Sequence, residues 1–175
     1  MSRKLAEKGW LTIAWPKEYG GMGASLWEQV VFNEEAYYWG IPGLGMGISG
    51  TSWVGPSLML FGSQEQKATY IPMIASGEPN GVWCTGYSEP DAGSDFAALR
   101  TRAERVGDEY VINGQKVWNS GGHRARWCWL ACRTDPGAKR KHDGISTIIV
   151  DLKSEGVTIR PIPNIVGVHN FNEIF

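Results

Sequence analysis

No stretch of the 175-residue chain approaches the roughly 18 uninterrupted apolar residues that span a bilayer, so a membrane-spanning helix is not expected. The first residues, Met1-Ser2-Arg3-Lys4-Leu5-Ala6-Glu7, lack the apolar centre of a signal peptide, and the expected location is cytoplasmic. Surplus charge of one sign is missing as well. The 17 basic and 18 acidic side chains leave a formal charge of -1, which provides no field for a polyanion and argues against nucleic acid as a partner. Histidine and cysteine are scarce, at three each. His123, His142 and His169 lie far apart without CxxC or HxxxH companions, so no metal site is expected. Cys128 and Cys132 on one strand would stand about 13 Å apart, beyond disulfide reach, and together with Cys84 they read as packing residues.

Glycine, in contrast, is abundant. Its 23 occurrences are about twice ordinary usage and imply many tight turns. A chain of this length buries roughly 70% of its unfolded surface, enough for a genuine core. The first half reads as helical. Ser25-Leu26-Trp27-Glu28 and Ser63-Gln64-Glu65-Gln66 are capping boxes, the first opening a helix through Val30, Val31 and Tyr38 that Gly40 and Pro42 close. An apolar run from Leu44 to Phe61, broken by Gly50, Gly55 and Pro56, is expected to form one kinked helix or two short ones. Tyr70, Ile71, Met73 and Ile74 supply a buried stripe to the helix after Ser63. From Val82 the period becomes alternating. Gly107-Asp108 and Asn113-Gly114 read as two hairpin turns, giving a three-stranded meander, with further strands over 126–133, 145–152 and 157–162. The expected fold is α+β: a partial helical domain over 1–80, then an antiparallel, barrel-like β-domain over 81–175. The basic cluster Lys139, Arg140 and Lys141 is expected to solvate a hairpin tip, with a phosphate contact as the alternative.

Two segments carry groups suited to a ligand. In Trp83-Cys84-Thr85-Gly86-Tyr87-Ser88-Glu89-Pro90-Asp91-Ala92-Gly93-Ser94-Asp95 a strand enters a turn of proline, glycine and small hydroxyl residues, which frees amides and short donors for an anion or polar heterocycle. In Gly114-Gln115-Lys116-Val117-Trp118-Asn119-Ser120-Gly121-Gly122-His123 a strand would deliver the flat ring of Trp118 and, on the same side, the hydroxyl of Ser120. That pairing suits a flavin, whose ring needs an apolar wall and edge donors. Each segment alone also fits a simpler reading, as a capped surface loop and as a core tryptophan beside a Gly-Gly turn. His123 reads as a loop residue.

Together the two segments resemble the acyl-CoA dehydrogenase family. Glu89 to Asp95 is similar to the family signature Glu-Pro-x-Ala-Gly-Ser-Asp, followed by Gly-Gln-Lys-x-Trp at Gly114 to Trp118. Gly9-Trp10, Trp15-Pro16-Lys17-Glu18-Tyr19-Gly20-Gly21, Phe61-Gly62-Ser63-Gln64-Glu65-Gln66-Lys67 and Phe171-Asn172-Glu173-Ile174-Phe175 resemble family landmarks in family order, so essentially the whole chain is covered. The resemblance implies FAD held against a middle β-domain and oxidation of an acyl-CoA to its trans-2-enoyl thioester, with an electron-transfer flavoprotein or similar acceptor and a homo- or hetero-oligomeric assembly. Carried over by position, Ser88 and the backbone at Tyr87 meet the pyrimidine edge of the flavin, Trp118 walls it, and Ser120 approaches N5. Gly93 and Ser94 lie along the pantetheine or phosphate path.

Departures from the family pattern qualify this expectation. Ser88 and Ser120 stand where threonine is usual, and Asn119 and Gly121 also differ from the pattern. The family's long helical domain, which carries its catalytic glutamate, follows the landmark at which this chain ends, so no catalytic base is assigned here and no turnover is expected from the chain alone. Glu89 and Asp95 are not expected to serve instead. A non-catalytic flavin- or acyl-CoA-binding subunit of a hetero-oligomer, and an oxygen-using relative such as an acyl-CoA oxidase or flavin monooxygenase, are the alternatives.

Overall fold

The computed structural model describes residues 2–41 and 47–175, in two compact units, Met1–Trp83 and Cys84–Phe175. The expected stop at Pro42 and the start of the apolar run at Leu44 lie outside the described residues.

The first unit is helical. After α1 (Ser2–Ala6), α2 (Leu26–Tyr38) opens on the Ser25 capping box, in which the Glu28 carboxylate accepts from the Ser25 amide at 2.7 Å. The interrupted apolar run becomes a π-helical turn, Ser49–Val54, that passes into α3 (Gly55–Phe61), so the expected kink is realised as a widened turn. Pro56 sits in the first turn of α3, where its missing N–H leaves no bond broken. A second capping box, Ser63 with Gln66, starts α4 (Gln64–Ala75), which buries Ile71 and Ile74. Trp15 is buried, and its indole N–H donates to the Thr51 carbonyl at 2.8 Å. Gly55 permits this packing, because a Cβ there would lie 2.1 Å from the Trp15 ring. Leu26, Trp27, Val31, Tyr37 and Tyr38 of α2 and Leu60 and Phe61 of α3 are exposed.

The second unit is built from strands. β1 (Trp83–Gly86) leads into it, followed by β2 (Arg102–Val106), β3 (Glu109–Asn113), β4 (Trp127–Arg133) and β5 (Ile145–Asp151) in one sheet of order β1-β4-β2-β3, with β5 antiparallel to β4. A separate antiparallel pair joins β6 (Ile159–Ile162) to β7 (Phe171–Ile174). Gly107-Asp108 makes the expected hairpin, with Val106 opposite Glu109. Asn113-Gly114 does not. Gly114 instead lies against Thr101, whose Cα would be 2.7 Å from an added Cβ, and the following residues leave the sheet, so the expected three-stranded meander is a two-stranded hairpin. β2 also meets β4 in a single parallel bridge, Arg102 with Arg133, a departure from purely antiparallel pairing. Cys84, Ala103, Cys128, Leu130, Cys132, Leu152 and Ile174 form the core of this unit. Among the described residues no helix is long and apolar enough to cross a membrane.

Candidate functional site

In the β-unit, hydrogen bonds hold residues 85–89 alongside residues 116–119. The Asn119 side-chain amide donates to the Thr85 carbonyl at 2.7 Å, the Lys116 ammonium to the Tyr87 carbonyl at 3.0 Å, and the Val117 amide to the Ser88 carbonyl at 2.9 Å. The two segments singled out in the sequence are therefore neighbours in space. On the far side of 116–119 runs the C-terminal strand, with Lys116 bridging Ile174 through two 2.8 Å backbone bonds and Asn119 bonded to Asn172.

Trp118 does not sit on a strand. Residues 117–119 are irregular, and Trp118 has φ +62°, the sole described non-glycine residue in the left-handed region. That conformation is costly for a bulky side chain and is retained where surrounding structure imposes it. Burial still alternates: Val117 and Asn119 are buried, Trp118 and Ser120 exposed. The indole is 60% exposed, which rules out the core-tryptophan reading, and it meets Phe171 edge-to-face at 6.1 Å between centroids. Tyr87 is half-buried and contacts Phe96 in the same manner at 5.9 Å. Its carbonyl is already engaged by Lys116, so that group is not wholly free for a ligand.

The hydroxyls of Ser88, Ser94 and Ser120 make no hydrogen bond among the described residues. Gly93 and Ser94 are exposed just after a closed turn in which Glu89 and Ala92 exchange backbone bonds of 2.8 and 3.2 Å, and no described contact joins either of them to Trp118 or Ser120. An exposed ring held in a strained conformation, with unspent hydroxyls nearby in the chain, fits a flat heterocycle with polar edges better than it fits a sealed core.

Two buried polar clusters escape a reading of the sequence. In the first, the Glu89 carboxylate accepts from the Arg100 amide at 2.6 Å, the Thr101 amide at 2.8 Å and the Lys116 ammonium at 2.9 Å. Lys116 is 2% exposed and Glu89 8%. Burial alone would raise the Glu89 pKa, but the hydrogen bonds to Thr101, Lys116 and Arg100 outweigh it and bring the pKa from 4.5 to about 2. Burial lowers the Lys116 pKa, an effect opposed by Glu89. A carboxylate so held is a poor proton acceptor, and its place is structural. Its folded pKa lies below its unfolded value, so the stability it contributes is fully present above pH 4.5 and is lost as pH falls toward 2. Acid unfolding followed by circular dichroism should show this loss, and Glu89→Gln should be less stable at neutral pH and flatter in its response to acid.

In the second cluster Asn172, fully buried, donates to the Asn119 carbonyl at 2.9 Å and to His123 Nδ1 at 3.2 Å, while its Oδ1 meets His169 Nε2 at 2.7 Å. His123 and His169 stack with centroids 3.8 Å apart. His123 is thus more than a loop residue. Burial first, then the neighbouring His169 and Arg124, lower its pKa, and as an acceptor at Nδ1 the neutral ring carries its proton on Nε2. This cluster fixes the strand behind Trp118 and Ser120. Among the cysteines, a hydrogen bond with Cys84 and then burial raise the Cys128 thiol well above its ordinary pKa, and burial raises Cys132.

The family model for the acyl-CoA dehydrogenase N-terminal domain matches residues 1–78, and that for the acyl-CoA dehydrogenase middle domain matches residues 84–174. The chain belongs to the acyl-CoA dehydrogenase family. It is 44% identical over 173 residues to acyl-CoA dehydrogenase FadE29 of Mycobacterium tuberculosis (strain ATCC 25618 / H37Rv), covering 99% of this chain and 43% of that protein. Among solved structures, the Tcur3481-Tcur3483 steroid ACAD superimposes with TM-score 0.89 at 45% identity, and the ChsE4-ChsE5 complex from Mycobacterium tuberculosis with TM-score 0.87 at 40% identity; each match covers 99% of this chain and 44% of that one. The chain spans less than half the length of these relatives.

Proposed function

We propose that this chain supplies the flavin-facing part of an FAD-dependent acyl-CoA dehydrogenase that works as a hetero-oligomer. The observation that carries this reading is Trp118, an indole exposed on a strained backbone and flanked in sequence by the free hydroxyl of Ser120. Trp118 would lie against the ring face, Ser120 at the N5 edge, and Ser88 with the backbone at Tyr87 at the pyrimidine edge. Gly93 and Ser94 would line the thioester's path. Bound FAD supplies two-electron oxidation of the thioester's Cα–Cβ bond. The remaining tasks of this chain are to orient that bond and to exclude water. No base is assigned within it, because Glu89 is locked and Asp95 lies exposed beyond the turn.

The hetero-oligomeric reading is supported by the two relatives whose printed names each join two components, and by the apolar side chains left exposed on α2 and α3. A relative described as a steroid ACAD at 45% identity favours an acyl-CoA whose acyl part is a large fused-ring skeleton. Spectroscopy of added FAD with an acyl-CoA tests the assignment. The chain alone should leave the flavin band unbleached, and a helical partner bearing a carboxylate should restore bleaching; bleaching by the chain alone would contradict it. In the active assembly Ser120→Ala should slow flavin reduction roughly tenfold while changing flavin occupancy little, the loss expected for one hydrogen bond at a reacting atom. Stopped-flow absorbance is the check.

A further inference from the structure

The left-handed turn at Trp118 is gripped from behind by the segment that carries Asn172. The Asn119 amide donates to the Asn172 carbonyl at 3.0 Å and the Gly121 amide to the Asn170 carbonyl at 2.8 Å, while the Asn172 side chain donates to the Asn119 carbonyl at 2.9 Å. These bonds bracket Ser120 and begin one residue after Trp118. A strained conformation persists only where such contacts over-determine it.

One carbonyl fixes the direction of the whole cluster. A carbonyl oxygen only accepts, so the Asn172 atom facing Asn119 is the amide nitrogen, and the Asn172 oxygen faces His169. His169 Nε2 must then donate, and His123 Nδ1, 3.2 Å from the same Asn172 nitrogen, must accept. Both stacked rings, when neutral, therefore carry their proton on Nε2. A second proton on His123 would go to Nδ1 and set N–H against N–H. Turning the Asn172 amide over would relieve that clash but would set its oxygen against the Asn119 carbonyl.

Among the described residues no carboxylate bonds to either ring. Arg124 lies on the same short turn as His123, Gly122–Arg124, and His169 stacks at 3.8 Å. On β6 and β7, which pack against that turn, the charged groups are Arg160 and Glu173. They stand opposite one another in the register on the face away from Asn172, Arg160 over the Phe175 ring and Glu173 accepting from Gln115. Arg126, close in the chain, is paired with Asp151. Burial first, then His169 and Arg124, hold His123 below the ordinary histidine pKa; the Asn172 bond would oppose them only through the amide turn just excluded.

We propose that His123 and Asn172 are positioning residues, a proton-sensitive clasp that holds Trp118 in its exposed, left-handed conformation only while His123 is neutral. The consequence for the cofactor rests on the flavin reading above: the aromatic wall is offered while the ring is neutral and withdrawn once it is charged. Because the folded pKa lies below the unfolded 6.5, the stability that the neutral ring contributes is complete above pH 6.5. It declines as pH falls through that value and levels off below the folded pKa.

Nuclear magnetic resonance of the full chain tests the clasp without any flavin. At about pH 7.5, where histidine is largely neutral, the ring nitrogens of His123 and His169 should both report the Nε2–H tautomer. The Trp118 indole signal, assigned through Trp118→Phe, should move with the midpoint of His123 as pH falls to about 5. His123→Asn, whose side-chain oxygen can stand in for Nδ1, should keep the neutral-pH position of that signal and abolish its pH dependence. His123→Phe keeps the stack but loses the acceptor, and should show the low-pH position throughout; the asparagine variant carries the test even where the phenylalanine variant fails to fold. An Nδ1–H tautomer on His123, or a Trp118 signal that titrates as before in His123→Asn, would overturn the proposal. In the assembled protein FAD occupancy should fall along the same curve, by at most about tenfold per pH unit, the limit for one linked proton. Constant occupancy with Trp118 still titrating would sink the assignment of Trp118 as flavin wall and leave the clasp standing.

Discussion

Lys116→Met should destabilise the β-unit by about 3–5 kcal/mol, the usual cost of removing one partner from a buried ion pair. The substitution leaves the Glu89 carboxylate 8% exposed with only the Arg100 and Thr101 amides to compensate it, and it removes the ammonium that joins the Glu89 turn to the Tyr87 carbonyl. Urea unfolding of the full chain reads the loss directly. The double variant Glu89→Leu/Lys116→Met should be less destabilised than the sum of the single variants, because an apolar pair incurs no ionic desolvation. Additive losses would show that the two side chains act independently, contrary to their 2.9 Å separation.

Trp118→Gly should separate the fold from the ligand. Glycine adopts φ +62° freely, so the backbone strain is relieved and stability should hold or rise by up to about 1–2 kcal/mol, even though the indole's contact with Phe171 is lost. Flavin retention in the assembled protein should fall at least about tenfold, the order expected for removing an aromatic wall. Trp118→Ala should lose flavin equally but without the gain in stability, since alanine keeps the strain. Differential scanning calorimetry and the flavin-to-protein absorbance ratio, measured on the same samples, check both parts. A tryptophan whose role is packing would give the reverse: destabilisation on substitution and unchanged flavin.

The parts of this molecule legible in its sequence are those governed by neighbours in the chain. Both capping boxes depend on a residue and its partner three places on, and both occur as read. The Gly107-Asp108 hairpin has the same local basis. Asn113-Gly114 carried an equally strong turn signal, yet its glycine serves the close approach of Thr101, a contact with a distant part of the chain that local chemistry does not announce. Alternation along a strand puts Trp118 and Ser120 on one side; both are exposed, but Trp118 takes a left-handed conformation and residues 117–119 form no strand. Lys116 and Glu89 are 27 residues apart, and lysine among strand residues ordinarily reads as a solvated side chain. His123 and His169 likewise lie far apart in the chain, yet their rings stack and both bond to Asn172, buried on the terminal strand.

The most direct measurement of the central claim is a crystal structure of the assembled protein purified with FAD. The isoalloxazine should lie flat against Trp118, with the Ser120 hydroxyl within hydrogen-bond reach of N5 and Ser88 at the pyrimidine edge. A flavin seated elsewhere, with the Trp118 indole still open to solvent, would contradict the account.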